Sequence, residues 1–464
     1  MPHLFISAAH KSSGKTTVSI GLCAALRARG LVVQPYKKGP DYIDPLWLSQ
    51  AAGRPCYNLD FYTMARAEIE QTFRQQLHGA DLGLVEGNKG LYDGLDLDGS
   101  NSNAALAALL GAPVVLVLDT RGMTRGVAPL ILGYQAFDPR IRIAGVILNH
   151  VGGPRHEGKL RQVIEHYTAV PVIGAVAQSR ELEIVERHLG LMPSNESSEA
   201  ARQIERLGSR IGEAVDLDAV LSIAAQAASV AAAAPAQVPP APKVRVGIAQ
   251  DEAFGFYYPG DLAALRLAGA QLVPFDTLHD EGLPEVDGLF IGGGFPESRM
   301  EQLEANAPMR EAVAAFIEAG GPAYAECGGL MYLARSLAWH GKVCRMTGVI
   351  PADVVMCERP QGRGYVRLAE TGAGPWPVLE GGLAEIAAHE FHYSRLENLA
   401  PGLRYAYRVL RGHGIDGTHD GIVYKNLLAS YTHLRDAGGN HWTRRFVAHV
   451  QACRDGVAGG AAKC

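Results

Sequence analysis

Along the first half of the chain, short apolar runs rich in β-branched residues alternate with longer stretches whose apolar positions recur at helical spacing. The runs LFISA, LVVQPY, LGLVEG, PVVLVLD, IAGVILN and VPVIGAV have the length of strands and the continuous apolar character of a sheet buried on both faces. They predict a parallel sheet covered by helices. After the first run and a loop, KTTVSIGLCAALRAR predicts a helix stopped by Gly30. The pattern breaks at SVAAAAPAQVPPAPK, residues 229–243, which is almost entirely Ala and Pro and predicts a semi-rigid linker. Beyond it the alternation restarts with VRVGIA, QLVPF, GLFIGGG and PAYAEC and grows richer in short strands toward the end. No repeat of fixed period is present. Two different α/β domains in tandem are therefore expected, residues 1–228 and 244–454, followed by a disordered tail at 455–464.

Composition narrows this picture without redirecting it. The 464 residues carry a formal net charge of -5, with 47% hydrophobic and 20% charged residues. That balance is ordinary for a globular protein of two or three domains, and no nucleic-acid partner is expected. No apolar run approaches the roughly 18 residues needed to span a bilayer. Met1 to Phe5 lead straight into a strand with no signal-peptide pattern, so no membrane partner and a cytoplasmic location are expected. The seven cysteines are scattered and never spaced C-x-x-C, which points to neither a disulfide framework nor a zinc site.

The loop SAAHKSSGKTT, Ser7 to Thr17, ends in Gly14, Lys15 and Thr16 as a phosphate-binding loop does, although the usual G-x-x-x-x-G-K-[ST] spacing would put its first glycine at Ala9. Its context supplies what such a loop needs. Backbone N–H groups and a helix N-terminus surround phosphate oxygens, Lys15 adds a mobile charge, and the Thr16 hydroxyl can ligate magnesium. In switch-type partitioning ATPases a second lysine lies five residues before the loop lysine; here that position is His10, which argues against that subclass. The second run ends in YKKGPDYIDP, placing Lys37, Lys38, Asp41 and Asp44 at the carboxyl edge of the sheet, where open α/β folds bind ligands. The third ends in LVEGNKGLYDG, where Glu86 follows the apolar run as a magnesium-holding carboxylate does and Asp93 comes soon after. The acids and lysines gathered beside the loop suggest ATP, Mg2+ and an anionic substrate together.

In the second domain GLFIGGGFPES runs a strand into Gly292, Gly293 and Gly294, whose N–H groups can approach a ligand because no Cβ intervenes. PAYAECGGLMYL meets a helix at Cys327, flanked by Gly328 and Gly329, in the shape of a nucleophile elbow. A thiol nucleophile needs a base, and the strand-terminal His433 in LLASYTHLRD suits that role best. His389 and His392, in AAHEFHYSRL, are read as structural or as lining a substrate cleft.

These residues carry a family resemblance. The Cys327 elbow, the G-G-G-F-P-E loop and the late histidine resemble class I glutamine amidotransferases. The P-loop, GPDYIDP, EGNKGLYDG and ERHLGL resemble the dethiobiotin-synthetase-like half of the cobyrinic acid a,c-diamide synthases. The resemblance covers nearly the whole chain in order. It implies a fold with an N-terminal P-loop domain, its mostly parallel sheet flanked by helices on both faces, and a C-terminal amidotransferase-like α/β domain. It further implies that Gly14, Lys15 and Thr16, with His10 and Thr17, hold ATP, that Thr16 and Glu86 hold Mg2+, and that Asn149 reads adenine. Asp41 and Asp44 are implied as catalytic, and Lys37, Tyr42 and Asp93 as substrate residues facing tetrapyrrole carboxylates or an activated intermediate. Cys327 would attack glutamine with His433 as base and the N–H groups of Gly293 and Gly328 as oxyanion hole. Many class I members orient the histidine with a glutamate two residues later; this chain has Arg435 there.

The implied activity is ATP-dependent amidation of the a and c carboxylates of cobyrinic acid through acyl phosphates, with ammonia from L-glutamine, in cobalamin biosynthesis. Hydrogenobyrinic acid or nickel sirohydrochlorin are alternative macrocycles, and a homodimer is a candidate assembly. The rival classes are a P-loop switch ATPase with a regulatory domain and an ATP-dependent carboxylase with an inactive second domain.

Overall fold

Every residue of the first strand, β1 (His3–Ala8), is buried, as its continuous apolar run requires of a strand paired on both edges and covered on both faces. The computed structural model describes residues 1–179, 184, 186–187, 190–196, 199–230, 237–377 and 385–456 and divides into two units, Met1–Ala236 and Gln237–Cys464. Most of the Ala-rich part of the expected linker, residues 231–236, lies outside the described residues, as do His188 and Leu189 of ERHLGL and residues 457–464 of the expected tail. No helix among the described residues is long and apolar enough to cross a membrane.

In the first unit β1 is followed by α1 (Lys15–Ala28), β2 (Val33–Lys38), α2 (Ile43–Ala52), β3 (Tyr57–Leu59), α3 (Arg66–Leu77), β4 (Leu82–Glu86), α4 (Asn103–Leu110), β5 (Val114–Asp119), α5 (Val127–Phe137), β6 (Ile143–Val151), α6 (Pro154–Tyr167) and β7 (Val172–Ala177). The expected first helix ends one residue early, and Gly30 follows it at φ 84°. The seven strands form one sheet in the order β3-β2-β4-β1-β5-β6-β7, and every pair is parallel. Only β3, three residues long, lacked a legible run. This order sets the carboxyl ends of β2, β4 and β1 side by side, so Lys37, Glu86 and the loop after Ala8 share one edge.

The second unit holds a nine-stranded mixed sheet. Ala270–Phe275, Val244–Ala249, Gly288–Ile291, Ala323–Glu326 and Leu427–Ser430 run parallel in that spatial order. His419–Tyr424, Arg404–Arg411, Gly362–Glu370 and Ile386–His392 extend the sheet antiparallel. The strand ending at Glu326 and the strand leading to His433 are therefore neighbours, with Glu326 opposite Ser430.

Candidate active sites

The loop after β1 turns at Ser12 (φ 63°) and Gly14 (φ 82°), whereas Ala9 keeps an ordinary negative φ. A glycine is not required at position 9, which accounts for the departure from the usual spacing. The loop is tied down by its surroundings. Asn149 Nδ2 donates to the Ser13 carbonyl at 2.9 Å, the Tyr134 hydroxyl to the Ala9 carbonyl at 2.6 Å, and the Ser13 hydroxyl to the His10 carbonyl at 2.8 Å.

Behind the loop lies a compact charge cluster. Thr16 Oγ1 donates to Glu86 Oε1 at 2.8 Å and stands 3.3 Å from Asp44 Oδ2. Lys37 Nζ bridges Asp44 Oδ2 at 2.5 Å and Glu86 Oε1 at 2.6 Å, with Asp41 Oδ2 at 3.9 Å. Burial disfavours the Lys37 ammonium, but Asp44 and Glu86 outweigh it and hold its pKa well above the usual value. Burial likewise works against the Asp44 carboxylate, and Lys37 overrides it downward. Burial and the Asp44 charge push the Asp41 carboxyl up to about 7. Lys15 is lowered to about 8 by burial and by the like charge of Lys37. An ammonium so placed gains from an anion at the loop, which the phosphates of a nucleotide supply.

The cluster also tests the fit of Mg2+. Thr16, Asp44 and Glu86 present only hard oxygen donors, and Glu86 Oε2 is buried without a hydrogen-bond partner. Such donors suit Mg2+, which takes one or two carboxylates and fills its remaining positions with phosphate oxygens and water.

The expected residues take different places in and around this cluster. Lys37, expected to face substrate, turns inward to the acids, its side chain only 3% exposed. Asp93 is exposed and accepts the Gly90 N–H at 2.9 Å, closing its own turn, although its charge acts on Lys15. Lys38 is lowered to about 8 by burial, against which the charge of Asp60 works. His10 is exposed and its ring Nδ1 contacts the Lys11 carbonyl at 2.7 Å. Asp41 Oδ1 accepts the N–H groups of Ile43 and Asp44, fixing the start of α2, where Tyr42 is buried. Thr17 is half-buried in the first turn of α1.

In the second unit Cys327 has φ 47° and ψ -99°, a conformation that costs a non-glycine residue on the order of 1–3 kcal/mol. Its surroundings impose the turn. The Cys327 N–H donates to the Ser430 carbonyl at 2.7 Å, and a Cβ on Gly328 or Gly329 would meet backbone at 2.9 Å or 2.1 Å. The elbow opens the short helix Gly328–Leu333. The Gly328 N–H, first in that helix, has no carbonyl to bond within it.

His433 reaches the elbow from the neighbouring strand and shares a side-chain hydrogen bond with Cys327. Its Nδ1 lies 3.4 Å from Glu326 Oε2. Burial lowers the affinity of His433 for a proton, but the contacts with Cys327 and Glu326 outweigh it and raise the pKa to about 10. The ring stacks on His389 at 4.9 Å, and a Cβ on Gly293 would meet its Cε1 at 2.7 Å. His392 stacks on Tyr431 at 3.9 Å and its Nδ1 contacts the Ser394 carbonyl at 2.8 Å, as a structural histidine would. Arg435 lies over the Tyr258 ring at 4.6 Å. The motif reading passed over Glu326, although an acid ending the otherwise apolar strand Ala323–Glu326 beside a nucleophile was a visible signal.

Residues 5–191 match the CobQ/CobB/MinD/ParA nucleotide binding domain family, and residues 245–440 the CobB/CobQ-like glutamine amidotransferase domain family. Three relatives, each named cobyrinate a,c-diamide synthase, align along nearly the whole chain. That of Magnetococcus marinus is 50% identical over 95% of this chain and 96% of its own length. That of Methanosarcina acetivorans is 41% identical over 94% and 92%, and that of Methanothermobacter thermautotrophicus 40% identical over 94% and 97%.

Proposed function

The chain belongs to the cobyrinate a,c-diamide synthase family, and on that premise we propose that it amidates the a and c carboxylates of cobyrinic acid, using ATP and ammonia released from glutamine. The observation that carries this reading is the presence in one chain of both halves of the chemistry: a P-loop backed by a buried acid cluster and a strained cysteine paired with a histidine.

In the first unit Lys15 and the loop N–H groups bind the phosphates, and the Asn149 bond to Ser13 holds the loop in shape. Thr16, Asp44 and Glu86 would hold Mg2+, which when bound draws charge from the terminal phosphate and favours its transfer. Lys37 neutralises the paired acids and keeps their oxygens beside Thr16. A carboxylate is a poor electrophile, so transfer of the γ-phosphoryl group to it gives an acyl phosphate from which ammonia displaces phosphate. In the second unit the Cys327 thiolate attacks the glutamine amide carbon, and the proton held on His433 passes to the departing ammonia. Water then hydrolyses the thioester. The Gly293 and Gly328 N–H groups are the proposed oxyanion donors.

The test is product mass spectrometry with amide-15N glutamine and ATP, offering cobyrinic acid, hydrogenobyrinic acid and nickel sirohydrochlorin in parallel. Two labelled amides on cobyrinic acid are expected. Labelling of another macrocycle alone reassigns the substrate, and no labelled amide on any of the three overturns the reading.

A further inference from the structure

The usual class I position for the acid that orients the histidine holds Arg435 here, a cation lying over the Tyr258 ring and unable to accept a hydrogen bond from His433. We propose that Glu326, the residue immediately before the nucleophile, is the positioning residue for His433: its carboxylate receives Nδ1–H and leaves Nε2 for the Cys327 thiol. This rests on the reading of Cys327 and His433 as the glutaminase pair.

The strand geometry delivers the contact. Glu326 and Ser430 are register partners in adjacent parallel strands, and His433 follows three residues beyond Ser430. Glu326 Oε2 stands 3.4 Å from His433 Nδ1, with both side chains less than 5% exposed. The other oxygen, Oε1, accepts the Leu434 N–H at 2.9 Å and the Tyr324 hydroxyl, so the carboxylate cannot rotate away. A carboxylate this deeply buried is costly unless it is paired and hydrogen-bonded. Here the hydroxyl and the N–H are hydrogen-bonded to Oε1, and the imidazole stands at ion-pair distance from Oε2. The nearby acid Asp420 is held otherwise, accepting the N–H groups of Gly421, Tyr431 and Thr432 at 2.8–3.0 Å. An acid on Nδ1 fixes which ring nitrogen carries the proton and stabilises the imidazolium formed when Sγ gives up its own. Moving the acid from after the histidine to before the cysteine keeps that geometry, because the two strand ends lie side by side.

The experiment uses the full chain and measures glutamine hydrolysis, together with the pH dependence of Cys327 alkylation by iodoacetamide, in the wild type and in Glu326→Gln. The amide keeps the volume but can present NH2 to Nδ1. Hydrolysis is expected to fall on the order of 100-fold or more, and alkylation to require higher pH, a displacement that a loss of packing alone would not produce. As a measurement independent of any variant, 15N-histidine NMR of the wild type should show His433 still doubly protonated at pH 8 with a strongly deshielded Nδ1 proton. Activity of Glu326→Gln within twofold of wild type with an unmoved alkylation profile overturns the proposal, as does a wild-type His433 that titrates near its ordinary value. A wild type without glutaminase activity overturns the underlying reading instead.

Discussion

Replacing Gly14 by alanine should weaken nucleotide binding for two separable reasons. Gly14 sits at φ 82°, where an L-residue costs about 1–2 kcal/mol. Its new Cβ would also lie 2.1 Å from Asn149 Nδ2, closer than any real contact. The amide must therefore leave, breaking its 2.9 Å bond to the Ser13 carbonyl and leaving a buried acceptor unpaired at about 1–3 kcal/mol. Together these come to about 2–5 kcal/mol. If the loop abandons its shape, affinity for a non-hydrolysable ATP analogue falls by about 30-fold to several thousand-fold. If the loop keeps it, the loss appears in the unfolding of the first unit. Calorimetric titration and thermal unfolding measure the two outcomes, with glutamine hydrolysis at Cys327 as the unaffected control. Asn149→Ala alone should cost about 1 kcal/mol, and in the Gly14→Ala background almost nothing, since the amide has already been displaced. Unchanged affinity and unchanged Tm in Gly14→Ala, or strict additivity in the double variant, would refute the reasoning.

Three further outcomes follow from the same geometry. Lys15→Ala should abolish amide synthesis while leaving basal glutaminase; loss of both activities in a folded variant counts against two separable sites. Lys37→Met leaves Asp44 and Glu86 buried without their cation and should destabilise the first unit by about 3–5 kcal/mol in EDTA. Millimolar Mg2+ should recover much of that Tm loss, and equal Mg2+ responses in variant and wild type would count against the proposed metal position. For His433, raised from 6.5 to about 10 in the folded chain, the stabilising contribution is fully present below about pH 6.5 and is lost as pH rises through about 10. Urea unfolding of wild type and His433→Gln should accordingly show a stability gap largest near pH 6.5 that narrows toward pH 10.

What the sequence disclosed and what it hid divide along a physical line. Strands buried on both faces read as unbroken apolar runs, so the parallel strands of the two large sheets were legible except for the three residues Tyr57–Leu59, whereas the parallel pair Ala334–Trp339 and Ile350–Met356 was not read. The antiparallel strands between Gly362 and Tyr424 mix buried and exposed positions, Gly362–Glu370 burying Gly362, Val366 and Leu368 while exposing Arg363, Gly364, Arg367 and Glu370, and were seen only as an enrichment in short strands. Gly14 and the Cys327 elbow were legible because a backbone conformation demands particular residues at particular places. The Cys327 and His433 partnership followed from chemical need.

The ion pairs of Lys37 and the place of Glu326 were not legible for a shared reason: what each touches depends on which strand lies alongside it. Lys37 becomes the counterion of Glu86 because β2 lies against β4, with those two residues in direct register. Glu326 meets His433 because its strand lies against Leu427–Ser430. In sequence the first pair is separated by 49 residues and the second by 107, and no local pattern encodes either pairing. In each unit the residue proposed to do the chemistry is announced by its loop, whereas the charge proposed to tune it arrives across the sheet. A variant such as Lys37→Met or Glu326→Gln, which keeps the strand and removes the charge, therefore tests what motif reading alone could not reach.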